Sequence, residues 1–516
     1  MLSKTILNVI KLQQKNFVRT PATVSVPIDV YDVDEDHEEF EFARPYKDIP
    51  KVSGLKILSA YIDKNQRTKL DKVMKSHHDA LGPIFKFRIL GQPDRVIINN
   101  PEMLKKLLSK DGKHPIEPGF NPLIYYRKNI RKELFLETSG LIGAHGAEWG
   151  RVRSLVQQSM MRPKSAMFYI NDIEDISEKL VILLDTRRDA NDEVEDLVQD
   201  LYKWSLESIA AIFLNTRLGC LDKNLSVDSD IHSFIKAVNT FLGPDFNDIN
   251  MGPPIWKYVS TSSFKRWDEA QMTIYDFTKR HVDQPVKNYI KDEPEHDNMS
   301  ILQKMIKTCG PDSQIPVVMA QDALMAGVDT TGTTAAFLLL DLAQHQEYQE
   351  RVFQEVSTII QNGPITEPKI NKLKYLKACF QESMRLNPAV IGFSRTTQVD
   401  MVLEGFQIPK DTIVSYFIMN VMKEAKHFKD PEEYIPERWM RGCSLQHEAH
   451  PFATIPFAHG PRMCIGKRFA ELECFILVIK MLQRFKLEYH HEPVGIQTDF
   501  VQKPDKKIRL RILPRV

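Results

Sequence analysis

Six cysteines in 516 residues (Cys220, Cys309, Cys379, Cys443, Cys464, Cys474) form no C-x-x-C pair. That spacing argues against a zinc site and against a disulfide framework, and it fits a reducing compartment. Charge of one sign is also missing. The formal net charge is +1, so nothing points to nucleic acid. No uninterrupted apolar run reaches the ~18 residues of a membrane span. The nearest, Phe475 to Leu482, is broken by Lys480. No internal repeat is visible, and no second linker divides the chain.

Acid is absent from residues 1–28, which carry Lys4, Lys11, Lys15 and Arg19. At 100° per residue the three lysines share one helix face, with Leu2, Ile6, Val9, Ile10 and Phe17 opposite. A basic, acid-free amphipathic start resembles a mitochondrial transit peptide. Its removal would leave a mildly acidic chain. Residues 29–43 follow with Asp29, Asp32, Asp34, Glu35, Asp36, Glu38, Glu39 and Glu41, and read as a solvated acidic linker.

Folding should begin near residue 44. Residues 55–80 read helical. Phe85–Ile89 and Arg95–Ile98 read as a hairpin. From 101 to about 385 the pattern is mostly helical. Residues 389–416 turn strand-like, at 392–397, 401–405 and 412–416. A Pro-rich irregular stretch, 428–456, precedes a helical pattern from Lys467 to about Leu487. Strands are expected again at 485–489 and 507–512. The fold class is therefore mainly α with small β-sheets. Length alone allows about three domains. The candidate site motifs, scattered from 149 to 466, must converge if they serve one cofactor, so 44–516 is read as one large domain.

Ile455-Pro-Phe-Ala-His-Gly-Pro-Arg-Met-Cys-Ile-Gly466 holds a single cysteine fenced by Gly460 and Gly466. It feeds the N-terminus of the helix from Lys467, where backbone N–H groups and the helix dipole favour a thiolate. Such a thiolate is a metal ligand or a nucleophile. Glycines admit something flat close to the backbone, and Arg462 can meet carboxylates. Phe457, Gly460, Arg462, Cys464 and Gly466 match F-x-x-G-x-R-x-C-x-G, so the stretch resembles the haem-binding loop of the cytochrome P450 family. The phrase from Gly460 to Glu473 is most similar to the animal mitochondrial branch. A microsomal member would open with a long apolar anchor.

Further motifs carry the same resemblance. Met325-Ala-Gly-Val-Asp-Thr-Thr-Gly-Thr-Thr334 sits in a helical pattern from about Val317 to Ala343. Its glycines and threonines are poor helix formers, and a threonine hydroxyl can bond back to the i−4 carbonyl. Ala326, Gly327, Asp329, Thr330 and Thr331 match the family's A-G-x-[DE]-T-[TS]. The resemblance implies that Ala326 and Gly327 border the haem, that Thr330 holds the hydrogen-bond network at oxygen, and that Asp329 feeds protons. Glu382 and Arg385 form E-x-x-R at i,i+3, and Arg438 in Pro436-Glu-Arg-Trp439 completes a structural triad. Trp149 and Arg153 share a helix face at i,i+4 and, with Arg395 and Arg462, are implied donors to two haem propionates. Lys374, Lys377 and Arg468 are implied docking charges for an acidic ferredoxin, although Gln381 stands where a second lysine of that helix is expected.

The resemblance implies haem b, ligated axially by Cys464, lying between the long central helix and the helix after the cysteine loop. It implies a monooxygenase that inserts one atom of O2 into a lipophilic substrate, a steroid, sterol or xenobiotic. Electrons would come from a mitochondrial [2Fe–2S] ferredoxin fed by an NADPH-dependent reductase, at the matrix side of the inner membrane, with peripheral membrane association. Substrate contacts are expected at 115–130, Phe241–Trp256, Leu324 with Met325, Ala389–Phe393 and Asp499–Val501. Met251 to Trp256 reads as either an apolar lip on a membrane or a packed loop. The alternatives are an oxygen-independent haem isomerase or dehydratase, against which the Asp329–Thr330 pair speaks, and a non-catalytic haem sensor.

Overall fold

The computed structural model describes residues 33–515 except 64–68, 90, 137, 227, 290–298, 362 and 443–449. The expected transit segment and Cys443 lie outside the described residues. The chain divides into two units, Met1–Ala43 and Arg44–Val516. In the first, helix Val33–Phe42 occupies most of the segment expected to be a linker.

The second unit is built on one helix, Ile315–Gln344. Pro316 in its first turn has no N–H to lose. The helix is apolar all round, and accordingly almost every residue along it is buried. By length and composition it could cross a membrane, but its apolar surface is spent on the protein core. Its chief partner is helix Leu197–Leu214, capped by Asp196 and closed by Asn215 in the left-handed region (φ 54°). The two glycines of the threonine-rich stretch permit this approach. A Cβ on Gly332 would lie 2.6 Å from Tyr202 Cδ1, and one on Gly327 would lie 3.0 Å from Ile209 Cγ1.

The sheets bind distant parts of the chain together. Ile84–Phe87 and Arg95–Ile98 form the expected antiparallel hairpin, with Phe85 opposite Ile97. Arg95–Ile98 then pairs in parallel with Ile413–Tyr416, which pairs antiparallel with Phe393–Thr396. One five-stranded sheet thus joins the start of the unit to its late strands. The helix after the cysteine loop runs Lys467–Arg484 and passes directly into strand Phe485–Glu488. That strand pairs with Leu510–Pro514, slightly beyond the expected 507–512. Between them, Ile496–Thr498 and Gln502–Pro504 form a hairpin that the sequence pattern did not suggest.

The expected triad is assembled and wholly inside. Glu382 and Arg385 have no exposure and Arg438 has 3 %. Glu382 Oε1 accepts from Arg385 Nη2 (2.8 Å), Arg438 Nε (3.1 Å) and the Ile435 N–H (3.0 Å). Its Oε2 accepts from Arg385 Nε and Trp439 Nε1, both at 2.9 Å. Arg385 spends its remaining N–H groups on the carbonyls of Met422, Pro431 and Glu433. Removing the carboxylate charge would strand two buried guanidinium groups. Glu382→Gln is therefore expected to destabilise the fold by about 3–5 kcal/mol, read as a lower urea midpoint. Lys75→Ala, which breaks only the exposed pair with Asp79, should leave that midpoint in place.

Candidate active site

The cysteine loop is a tight backbone knot. The Cys464 N–H donates to the Phe457 carbonyl (2.9 Å), Met463 N–H to Gly460 O (3.0 Å) and Ala458 N–H to Ile455 O (2.8 Å). Closing it takes left-handed backbone at Ala458 (φ 56°) and Gly460 (φ 81°). Gly460 is thus required by conformation; a Cβ there would meet nothing within 4 Å. A Cβ on Gly466 would lie 3.9 Å from Cys464 Sγ, in ordinary contact. The ring of Phe457 is half-buried, with Lys467 Nζ 5.6 Å from its centroid.

Cys464 is densely surrounded by protein and yet accessible to water. Its sulfur therefore borders an internal space rather than the outer surface. Burial pushes the thiol up; the Gly466 and Lys467 N–H groups and the Arg153 and Lys467 charges pull it down without prevailing. The backbone N–H groups at the helix start do favour the thiolate, but burial outweighs them. A cation bound at the sulfur would add to their pull. The middle of the central helix has a matching feature. Ala326 is exposed and Thr330 half-exposed, between turns that are buried. The central helix and the helix that follows the cysteine loop pack on each other.

Asp329 faces elsewhere. It is fully buried, and Lys503 Nζ lies 3.1 Å from Oδ2. Burial raises its pKa and Lys503 opposes that rise. Lys503 also donates to Asn239 Oδ1 and is partly exposed, so it links the buried acid to the outside. The Thr330 hydroxyl donates to the Ala326 carbonyl (2.7 Å), the back-bonding expected of a mid-helix threonine. Gly327 is set differently from the expectation. Its bare face is filled by Ile209, and its carbonyl accepts from the Ser205 hydroxyl (2.9 Å).

Four arginine and tryptophan side chains gather at the other edge. Trp149 is buried, with the Arg462 and Arg153 guanidinium carbons 4.6 and 5.8 Å from its ring centroid. Arg462 donates from Nε to Pro115 O (3.1 Å) and from Nη2 to Ala144 O. Burial first, and then the neighbouring Arg395 and Arg153, push its pKa down to about 10, while Glu117 and Asp111 resist. Arg153 donates to Met463 O (3.0 Å), leaving its buried Nε without a partner. Arg395 is held by Asp111 and Glu117, and its buried Nη2 has no partner. Burial raises the pKa of both acids and Arg395 counters it. Orphaned guanidinium atoms and an excess of buried positive charge suit a cofactor that brings two carboxylates. With a sulfur at an internal space, the residues fit haem.

The expected docking charges are not equivalent. Lys374 is exposed. Lys377 is half-buried, donates to Asn371 O at 3.4 Å, and has its pKa lowered by burial. Arg468 is tethered to Met161 O (2.8 Å). Glu117, Asp111 and Lys503 were missed from the sequence. Only the turn chemistry of Ile116-Glu-Pro-Gly119 hinted at the first. Three of the expected substrate-contact segments do meet. Phe120, Phe246 and Phe500 form a triangle with centroids 4.8–5.8 Å apart.

A family profile described as Cytochrome P450 matches residues 50–511. The chain is 33% identical over 477 residues to "Cytochrome P450 CYP12A2" of Musca domestica, covering 88% of each protein. It is 31% identical over 472 residues to "Probable cytochrome P450 12a5, mitochondrial" of Drosophila melanogaster, covering 87% of each. It is 29% identical over 491 residues to "Probable cytochrome P450 301a1, mitochondrial" of the same fly, covering 92% of this chain and 88% of that one. If Cys464 is the ligand, the reduced, carbon-monoxide-bound protein shows the red-shifted band of thiolate haem and Cys464→Ala loses it. A band surviving in that variant would exclude this sulfur.

Proposed function

The chain belongs to the cytochrome P450 family and is a haem-thiolate monooxygenase; from that premise we propose that it oxygenates a lipophilic small molecule, a steroid, sterol or xenobiotic, in the mitochondrion. Haem supplies O2 activation, one oxygen atom entering a C–H bond and the other leaving as water, for two electrons and two protons. The protein provides ligand, orientation and dryness.

The observation that carries the substrate class is the aromatic cover. Phe120, Phe246 and Phe500 come from three separate segments and meet edge-on or stacked. Tyr125, Trp256 and Phe264 extend it, with Trp256 stacked 5.5 Å from Phe264. Rings of this kind shed water from a cavity and favour apolar ligands. Leu324 and Met325 of the central helix have no exposure, while Thr330, further along the same stretch, is half-exposed and polar.

Thr330 is the hydroxyl that would hold a proton at its Oγ1 on the cofactor side, the haem supplying the oxygen chemistry when bound. Asp329 would replenish it, and Lys503, 3.1 Å from Asp329, connects that acid with outside water. The Thr330 hydroxyl and the Asp329 carboxylate face different neighbours, so a side-chain rotation or a bridging water would have to join them. Thr330→Ala is expected to keep the spin-state shift that lipophilic ligands cause, while electrons pass into peroxide and not into product. Unchanged coupling of NADPH to hydroxylated product would remove Thr330 from the relay.

Two of the relatives carry "mitochondrial" in their names, which supports that compartment and, with it, a ferredoxin as donor. Ile255, Tyr258 and Val259 are 53, 68 and 63% exposed, a short apolar ridge suited to lying on the inner membrane from the matrix side. Trp256, in the segment read as either a lip or a packed loop, is buried and donates to Ile249 O. Ferredoxin docks on the face carrying Lys374, Lys377 and Arg468. Rim charges mostly govern encounter and salt dependence. Lys374→Glu is therefore expected to raise the ferredoxin's apparent Kd at low salt and to leave haem content alone. Lys377→Glu should do less at the surface, since that lysine is half-buried. An unmoved Kd in both would place the ferredoxin elsewhere.

A further inference from the structure

We propose that Glu117, together with Asp111, is a positioning residue that aims one arm of the Arg395 guanidinium at a haem carboxylate. The proposal rests on Arg395 being a donor to that carboxylate. Arg395 is 2 % exposed. Its Nε donates to Asp111 Oδ2 (2.6 Å), and its Nη1 donates to Glu117 Oε2 (2.5 Å) and to the Ser394 carbonyl (2.8 Å). A guanidinium has five N–H donors in a rigid plane. Three are thereby committed on two of its edges. The plane is fixed, and with it the direction of Nη2, the nitrogen that has no protein partner.

Glu117 is itself held. Its Oε1 accepts from the Gly119 N–H (3.2 Å) and the Ser394 N–H (3.3 Å), and the Thr396 N–H donates to Ile116 O (3.0 Å). The acid is thus locked to the strand that carries Arg395. Arg462 and Arg95 also face it across the cluster. The same carboxylate begins the turn Pro118–Phe120, so it sets Phe120 against Phe246 and Phe500 as well. One side chain therefore serves both the anionic edge of the cofactor and the cover of the substrate cavity. Arg462 strengthens that link, because it binds the carbonyls of Pro115 and Ala144 at either end of the covering segment. Nothing in a surface role for Glu117 would call for this arrangement.

The test is the rate at which purified holoprotein loses haem to excess apomyoglobin. Glu117→Gln and Asp111→Asn are each expected to speed that loss about tenfold, the usual effect of removing a group that orients a ligand's partner. Glu117→Gln should also move the ferric/ferrous midpoint potential positive, because a negative charge near the cofactor edge is gone. In an Arg395→Lys background, adding Glu117→Gln should speed loss no further, since the two act through one group. Haem loss at the parental rate in both Glu117→Gln and Asp111→Asn, an unmoved potential, or additive effects with Arg395→Lys would each overturn the proposal. If Arg395→Lys alone retains haem like the parent, the reading of Arg395 itself falls. Asp111→Asn leaves the Gly119 and Ser394 contacts of Glu117 intact, so it runs the same cycle if Glu117→Gln does not accumulate.

Discussion

Five donors converge on the two oxygens of Glu382, a side chain with no access to solvent. Burying one carboxylate and two guanidinium groups costs more desolvation than their attraction returns unless every lone pair is used, and here the carboxylate is fully used. The consequence is geometric. Glu382 belongs to helix Lys374–Leu386, whereas Ile435, Arg438 and Trp439 belong to an irregular stretch with little secondary structure of its own. That stretch leads into the cysteine loop. Within that loop Ala458 keeps left-handed backbone, which is costly for a residue with a Cβ, and the loop's own hydrogen bonds hold it there.

The same logic of incomplete satisfaction marks the site itself. Elsewhere in the interior Arg127 meets Asp322 at 2.7 Å and Arg385 meets Glu382, although Arg127 Nε, Asp341 Oδ2 and Glu473 Oε2 have no hydrogen-bond partner among the described residues. Around Trp149 two guanidinium groups are left short side by side. Arg153 and Arg395 each keep a buried nitrogen without a partner, and Arg462 is crowded by both. Unpaired buried donors are expensive, so their concentration at one edge of the fold indicates where a ligand's anionic groups belong. The accessible sulfur at one end and the orphaned guanidinium atoms at the other are complementary to one molecule, a metal at its centre and carboxylates at its rim.

Much of this was legible because the informative residues are close in sequence. Five positions within ten residues define the cysteine loop, and Ala326 to Thr331 define the central helix, since local backbone geometry and helical spacing constrain both. The hairpin followed from two strand-like runs, Phe85–Ile89 and Arg95–Ile98, either side of a Gly-Gln-Pro turn, while its register came only with the structure. What stayed illegible is what distant segments bring. Lys503 reaches Asp329 from a late hairpin with a three-residue strand, too short to leave a pattern. Asp111 and Glu117 look like ordinary loop acids until Arg395, far along the chain, is placed between them. Helix Val33–Phe42 was hidden by its own acidity, because a charge run reads as solvated whether or not it is helical.

The central helix shows why its unfavourable composition persists. Three kinds of neighbour surround a single stretch of it. Ala326 and Thr330, one turn apart, share the face toward the internal space, and only small or hydroxylic side chains leave room there. Gly327 and Gly332 face the Leu197–Leu214 helix, where Ile209 and Tyr202 fill the volume that any Cβ would need. Asp329 points to Lys503 and thence to water. Each glycine gives up to ~1 kcal/mol of intrinsic helix stability relative to alanine, and close packing against a buried helix offsets it. Replacing either glycine to improve the helix would push the two helices apart and move Thr330 with them. The motif is therefore a compromise among packing, cavity and proton access that no one of the three demands would produce alone.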